Sequence, residues 1–292
     1  MLPSRKGLLT WLGRRRWINW IPSTTYLLLL FYIPIAMLMY YSFWRYLKLF
    51  RFEPALTLEN YLRFFTSPIY TRVLLNTIFI VGVAMALLLI VGFPIAYFIA
   101  RYVRSSADRI ILLMLIPVEI NYLIRIFAWR TILGENGILN SFLVAVGVIE
   151  KPLPIFFYNW FAIVIVTMHE WLPYVVIPLY ISLRSIPRSL YEAAHDLGAS
   201  RLQTFLKITL PLCKPGILTA IFIVFIPALG EFAIPALVGG KSGYMIGNMI
   251  ENQLLAAGNW PLATAASVIL LATSLIIVGI MVKILGMEAL YR

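Results

Sequence analysis

Long apolar runs constrain this chain more than any other feature. Six stretches, approximately Thr24–Trp44, Val73–Ala100, Asp108–Ile132, Ile155–Leu183, Gly216–Val238 and Leu262–Leu285, each hold about twenty residues or more, the length a helix needs to cross roughly 30 Å of hydrocarbon. Inside a bilayer the backbone must satisfy its own hydrogen bonds, so only helices and closed barrels cross. None of these runs shows the ten-residue alternation of a barrel strand. The expectation is an all-α integral membrane protein with six transmembrane helices. Composition agrees: the chain is 62% hydrophobic and 12% charged, against about 25% charged for a soluble domain. The N-terminus starts like a signal peptide, but the apolar run behind it is too long and lacks a small-x-small cleavage site, so the first span should stay.

A cytoplasmic N-terminus places most of the 24 Lys and Arg residues inside: Arg5, Lys6 and Arg14–Arg16, then Arg101, Arg104 and Arg109, then Arg184, Arg188, Arg201, Lys207 and Lys214, and last Lys283 and Arg292. That is the bias expected of cytoplasmic loops. Arg45, Lys48, Arg51, Arg63 and Arg72 run against it in the first external connection. The net charge of +12 suits contact with an anionic inner leaflet and requires no nucleic acid. Cys213 stands alone, which excludes an internal disulfide and a cysteine-based metal cluster. His169 has no second histidine at ligand spacing, so it reads as structural and no metal site is expected. The chain divides into a basic cytoplasmic tail, 1–23, and one transmembrane domain, 24–292, with a cytoplasmic loop at 184–215.

That loop carries two short amphipathic patterns hinged at Gly198. Ser189-Leu190-Tyr191-Glu192 fits a capping box, in which a serine oxygen and a glutamate three residues later satisfy amide donors at a helix start. Leu190, Ala193, Ala194 and Leu197 then fall on one face, and Gly198 supplies a left-handed C-cap. The pattern restarts at Ser200-Arg201-Leu202-Gln203, a second capping box, with Leu202, Phe205, Leu206 and Thr209 on one side, until Pro211 stops the helix. Such a knob, with alanines at its face, fits the groove of another protein; a helix lying on lipid would suit Arg201 and Lys207 equally. The external connections Arg45–Arg72, Leu133–Pro154 and Gly239–Pro261 are long enough to receive a partner or simply to join helices that are not neighbours.

Glu192-Ala193-Ala194, Gly198-Ala199, Phe205, Ile208, Leu210-Pro211 and Pro215-Gly216-Ile217 stand in the order of the Glu-Ala-Ala loop. The chain thereby resembles the permease subunits of bacterial ABC importers served by binding proteins. Its resemblance to their polyamine (spermidine/putrescine) branch extends through Asn121-Tyr122-Leu123-Ile124-Arg125, the segment Leu133 to Asn140, Gly230-Glu231-Phe232, Gly239-Gly240, Ile246-Gly247-Asn248 and Asn259-Trp260-Pro261. The resemblance implies a type I importer permease fold in the bacterial inner membrane, paired with a second permease as a heterodimer. It implies a cytoplasmic ATPase dimer that receives the Glu-Ala-Ala helix in a groove, and a periplasmic binding protein that delivers cargo. On this chain Glu192, Ala193, Ala194 and Gly198 would form the coupling helix and hinge, and Leu210, Pro211, Pro215 and Gly216 the return to the membrane. No catalytic residue is expected. Gly240-Lys241-Ser242 ends like a phosphate loop, but Pro235 stands where the first glycine is needed, so ATP and Mg would be used by the ATPase and no cofactor bound here.

Ionisable groups within spans cost roughly 2.5–3.5 kcal/mol on insertion scales and are functional candidates by default. Glu119, Glu170 and Glu231 qualify, with His169 and Arg125 nearby in sequence. A polyamine would need such carboxylates, and aromatic faces for its ammonium ends. Tyr122, three residues from Glu119, and Trp171 and Tyr174, the latter four from Glu170, are suitably spaced. Glu231 stands out because Pro227, Gly230 and Pro235 surround it, as in an interrupted helix. The acids could instead pair internally, Glu119 with Arg125 for example, or Glu170 with the second permease. Glu119 also departs from the polyamine branch, which tends to carry an aromatic there. Other importer cargoes (thiamine, a metal complex, an oxyanion) and a self-sufficient secondary transporter or channel are the competing functions.

Overall fold

The computed structural model describes residues 16–103 and 106–286. Of the expected tail, residues 1–15 lie outside the described residues, as do Arg104 and Arg292. The described residues begin with α1 (Arg16–Leu27), a π-helical turn and α2 (Ile33–Tyr41), so the helix of the first expected span extends well ahead of Thr24. No residue between 20 and 41 is buried. A two-stranded antiparallel hairpin, β1 (Arg45–Lys48) and β2 (Arg51–Glu53), pairs Arg45 with Glu53; it lies in the connection between the first and second expected spans. After it come α3 (Glu59–Thr66) and the long α4 (Pro68–Tyr102). Asn60 fixes this connection by donating to the carbonyls of Ser42 and Trp44 at 2.9 and 2.8 Å.

The third expected span, Asp108–Ile132, is not one helix. α5 (Ala107–Leu115) passes into a 3₁₀ turn, Ile116–Glu119, and α6 (Tyr122–Leu133) leaves at 86° to it. Pro117 lacks an N–H, and Asn121 caps the new helix by accepting from Leu123 N at 3.0 Å. α7 (Ile138–Ala145) follows. The fourth span, α8 (Trp160–Ser185), begins at Asn159, whose side chain accepts from Phe161 N and Ala162 N, rather than at Ile155. α9 (Arg188–Asp196) and α10 (Arg201–Thr204) form the polar loop, and a π-helical turn leads into α11 (Leu210–Leu212). Pro211 therefore does not stop the helix; the chain bends by 57° at Cys213 instead and enters α12 (Lys214–Leu229). Beyond a break at Gly230 lie the π-helical Pro235–Gly239, α13 (Ile246–Glu251) and α14 (Trp260–Leu285).

Among the described residues four helices are long and apolar enough to cross a membrane, or up to six if each bent pair is one span. The core is built where α4 lies along α8 and α8 along α12. Leu88, Val175, Val176, Leu179, Ala220 and Phe225 are buried there. Gly216 allows the last contact: a Cβ at this position would stand 2.5 Å from Ser182 Cβ and 2.8 Å from the Pro178 carbonyl, the small-residue solution to helix packing in lipid. Hydroxyls within spans are satisfied by their own helix, as Thr77 bonds the Val73 carbonyl and Ser274 that of Leu270, both at 2.8 Å.

Candidate functional site

Two regions carry polar side chains out of keeping with their surroundings. The first is the elbow α9–α10. Gly198 has φ +75°, and the amides of Gly198 and Ala199 donate to the carbonyls of His195 and Ala194 at 2.9 Å, closing the helix in a Schellman turn as expected. The second capping box is present, with Ser200 Oγ accepting from Gln203 N and Gln203 Oε1 from Ser200 N. The first is not: Pro187 occupies the N-cap and no side chain caps the helix, which leaves Ser189 and Glu192 inside it. Glu192 and Ala193 are exposed while Ala194 is buried. Leu190, Leu197, Leu202 and Leu206 are exposed, Leu197 to 87%. In the return, Leu210 and Pro215 are half-buried, Pro211 is exposed and Gly216 is buried.

The elbow is tied to the bundle by a contact that the sequence did not announce. Arg101, at the end of α4, donates to the Tyr191 hydroxyl at 2.5 Å and to the Ile186 carbonyl at 3.4 Å. Its guanidinium carbon lies 3.9 Å from the centre of the Tyr191 ring, and the same hydroxyl meets Thr209 Oγ1 at 3.1 Å. One tyrosine thus joins α4, the elbow and the returning chain. Phe205 adds an edge contact to Phe93 at 5.6 Å.

The second region lies among the spans. Glu231 follows the break at Gly230, and its Oε1 accepts from Ala233 N and Ile234 N at 2.8 and 3.2 Å, capping the segment beyond. The Tyr122 hydroxyl donates to Glu231 Oε2. Asn248 supports this turn by donating to the Phe232 carbonyl at 2.7 Å. Arg125, one turn along α6 from Tyr122, meets Glu170 Oε2 at 2.9 Å, with the Glu170 side chain only 2% exposed. The Arg125 guanidinium carbon lies 6.0 Å from the Tyr122 ring centre, so Glu231, Tyr122, Arg125 and Glu170 form one chain of contacts. His169 Nδ1 stands 3.6 Å from Glu170 Oε1, and its ring meets Trp129 edge to face at 5.2 Å.

Of the expected pathway residues, the structure joins Glu231 with Tyr122 and sets Trp171 beside Tyr174, ring centres 5.4 Å apart and tilted at 53°. It separates Glu119: this acid is exposed at the end of the 3₁₀ turn, across the break from Tyr122, so the two share no helical face. Arg125 pairs with Glu170 rather than Glu119. Tyr174 lines a cavity of 970 Å³ running to the elbow, where Ser182, Pro187, Pro211, Lys214 and Gly216 form its wall. A second cavity, of 430 Å³, is lined by Pro235, Tyr244, Asn248 and Glu251. Glu251 lies outside the six expected spans, so the cost of an ionisable group in lipid gives no signal for it.

Residues 92–287 match the family described as "Binding-protein-dependent transport system inner membrane component". The chain is 38% identical over 228 residues to the spermidine/putrescine transport system permease protein PotB of Escherichia coli (strain K12), covering 78% of this chain and 81% of that protein. It is 34% identical over 213 residues to PotB of Haemophilus influenzae, covering 73% and 74%. Its fold resembles that of a chain in the crystal structure of a bacterial alginate ABC transporter in complex with alginate pentasaccharide-bound periplasmic protein. The TM-score is 0.72 at 20% identity, over 94% of this chain and 96% of the other.

Proposed function

The chain belongs to the family of binding-protein-dependent transport system inner membrane components, and from that membership we propose that it passes polyamines, putrescine or spermidine, across the inner membrane. As a member it is a multi-pass permease subunit of an ABC importer, working with another permease, an ATPase and a periplasmic binding protein. ATP is hydrolysed on the separate ATPase subunit, which holds the nucleotide and Mg; this chain contributes no catalytic residue and binds no cofactor of its own.

One observation carries the cargo assignment: the contact chain from Glu231 through Tyr122 and Arg125 to Glu170, which joins the break after Gly230 and the start of α6 to the interior of α8. A protonated amine leaving water needs charge-assisted acceptors and gains from aromatic faces. Glu231 and Glu170 supply the carboxylates, and Tyr122 supplies a face. Trp171 and Tyr174 continue the path toward the cavity above the elbow. Glu119, exposed on the near side of the break, serves as an outlying acid. The 38% identity with a spermidine/putrescine permease supports the same cargo.

The transport cycle follows from the two regions together. With the N-terminus in the cytoplasm, the elbow faces the ATPase dimer, and Glu192, Ala193 and Ala194 enter its groove with the exposed leucines around them. Gly198 sets the angle of the elbow. Closure of the ATPases moves α9, and Tyr191 and Arg101 pass that displacement to α4. Leu210, Pro211, Pro215 and Gly216 pass it to α12 across Ser182 of α8. The wall of the 970 Å³ cavity contains these same elements, so its opening is linked to the elbow. A second, different permease completes the path as a heterodimer.

The assembled importer in liposomes, with binding protein outside and labelled spermidine as cargo, tests this. Expected is saturable ATP-dependent uptake that unlabelled putrescine or spermidine suppresses, lost in Glu192→Lys although the subunit still assembles. Uptake of a thiamine, oxyanion or metal complex with indifference to both amines overturns the cargo; normal uptake by Glu192→Lys overturns the coupling.

A further inference from the structure

α6 presents Tyr122, Arg125 and Trp129 at i, i+3 and i+7, one helical face. Each meets a polar partner on another element: Tyr122 the Glu231 carboxylate, Arg125 the Glu170 carboxylate, and Trp129 the His169 ring. Glu170 is 2% exposed at its side chain and Arg125 11%. A carboxylate so deeply placed requires a compensating cation. Arg125 provides it in this conformation, which means that Glu170 is already occupied when the cargo is absent.

We infer that Arg125 is a built-in counter-ion that cargo must displace, resting on the proposal that the cargo is cationic. An incoming ammonium takes the Glu170 carboxylate, and Arg125, whose guanidinium carbon already lies 6.0 Å from the Tyr122 ring centre, keeps that cation–π contact as it lets the acid go. The exchange conserves charge at each step, so the buried acid is never left alone. It also selects: a neutral or anionic solute cannot replace the guanidinium, whereas a free Glu170 would hold any cation tightly and release it slowly. The place of Arg125 in the first turn of α6, just past the 86° break and the Asn121 cap, lets that helix pivot without straining α5. Arg125 is thus a specificity-determining residue, with Glu170 as its shared partner. Nε of Arg125 and both carboxylate oxygens of Glu170 are buried without a hydrogen-bond partner among the described residues, as expected of a pair held by charge at 2.9 Å rather than by aligned hydrogen bonds.

The test uses the complete importer in liposomes and compares Glu170→Gln, Arg125→Gln, Arg125→Lys and the double Arg125→Gln/Glu170→Gln. Glu170→Gln strands a cation in the path, and spermidine uptake should fall at least tenfold. Arg125→Gln frees the acid, so KM for spermidine should fall several-fold while turnover also drops. Arg125→Lys should restore both toward wild type. The double variant has no carboxylate for the ammonium to take and should stay as poor as Glu170→Gln. A double variant that recovers most of the loss, as a purely structural ion pair would, or an unchanged KM in Arg125→Gln, overturns the exchange while wild-type uptake leaves the cargo proposal standing. Absence of wild-type uptake of either amine overturns the cargo proposal and the exchange with it.

Discussion

The Arg101 guanidinium combines a 3.9 Å cation–π contact with the Tyr191 ring and a hydrogen bond to its hydroxyl. The two residues are ninety positions apart, at the end of α4 and in the first turns of the elbow. Because Tyr191 OH also meets Thr209, Tyr191→Phe removes two hydrogen bonds while leaving the ring. A hydrogen bond to a charged group is worth about 1.5–3 kcal/mol, and about 1.4 kcal/mol is tenfold in rate. Uptake should fall about tenfold in Tyr191→Phe with assembly unchanged, measured as cargo flux per ATP hydrolysed. Flux per ATP equal to wild type would mean that this contact transmits nothing.

Gly198 tests the shape of the elbow. Its φ of +75° costs an L-residue roughly 1–2 kcal/mol, while nothing stands within 4 Å of an added Cβ. Gly198→Ala should therefore fold and lose uptake in part. Gly198→Pro should lose it entirely, since proline cannot adopt this φ and removes the amide that bonds His195. Immunodetection in the membrane fraction separates lost coupling from lost protein.

At Gly216 the effect is steric. A methyl group there meets Ser182 Cβ and the Pro178 carbonyl inside contact distance, and overpacking costs typically about 1–3 kcal/mol. Gly216→Ala should lower the unfolding temperature of the purified subunit by several degrees, and Ser182→Gly in the same chain should return part of it. No change in unfolding temperature would show that α8 and α12 can separate freely.

Glu231 combines a cap with a charge, and two substitutions divide them. Glu231→Gln keeps an oxygen for Ala233 N and Ile234 N but loses the negative charge, so stability should hold while spermidine uptake falls at least tenfold. Glu231→Ala loses the cap as well, about 0.5–2 kcal/mol, and should be less stable than Glu231→Gln by thermal denaturation. Equal uptake by wild type and Glu231→Gln removes this acid from the path.

Orientation has a direct check. With Cys213, the one cysteine and a buried one, replaced by Ala, Leu197→Cys places a thiol at a position 87% exposed. A membrane-impermeant maleimide should label it in inside-out vesicles and leave it unlabelled in intact cells. Labelling from the outside reverses the topology.

The spans and the elbow were legible because they rest on local signals: apolar length, a glycine at positive φ, and a Ser-x-x-Gln box. The break in the third span was written there too, as Pro117 followed by Asn121, yet the apolar run on both sides masked it. Pro187 displaced the first capping box because a serine three residues from a glutamate is only one of the ways to start a helix. The pairing of Arg125 with Glu170 was not legible. Glu119 lies six positions from Arg125 and Glu170 forty-five, so spacing points to the wrong acid, and only the 86° turn carries the one away while α8 brings the other in. Arg101 and Tyr191 were hidden for the same reason, since long-range partners have no spacing to betray them.

The first helix has a consequence for biogenesis. Residues 20–41 contain nothing buried, and α2 leans on the rest of the chain chiefly through α14. A subunit synthesised without its mate is therefore tethered along a single flank there, exposed to membrane proteases that sample loosely held helices. Its lifetime in the cell should depend on how promptly the other permease arrives, making supply of the two chains in equal amounts a condition of the importer's abundance.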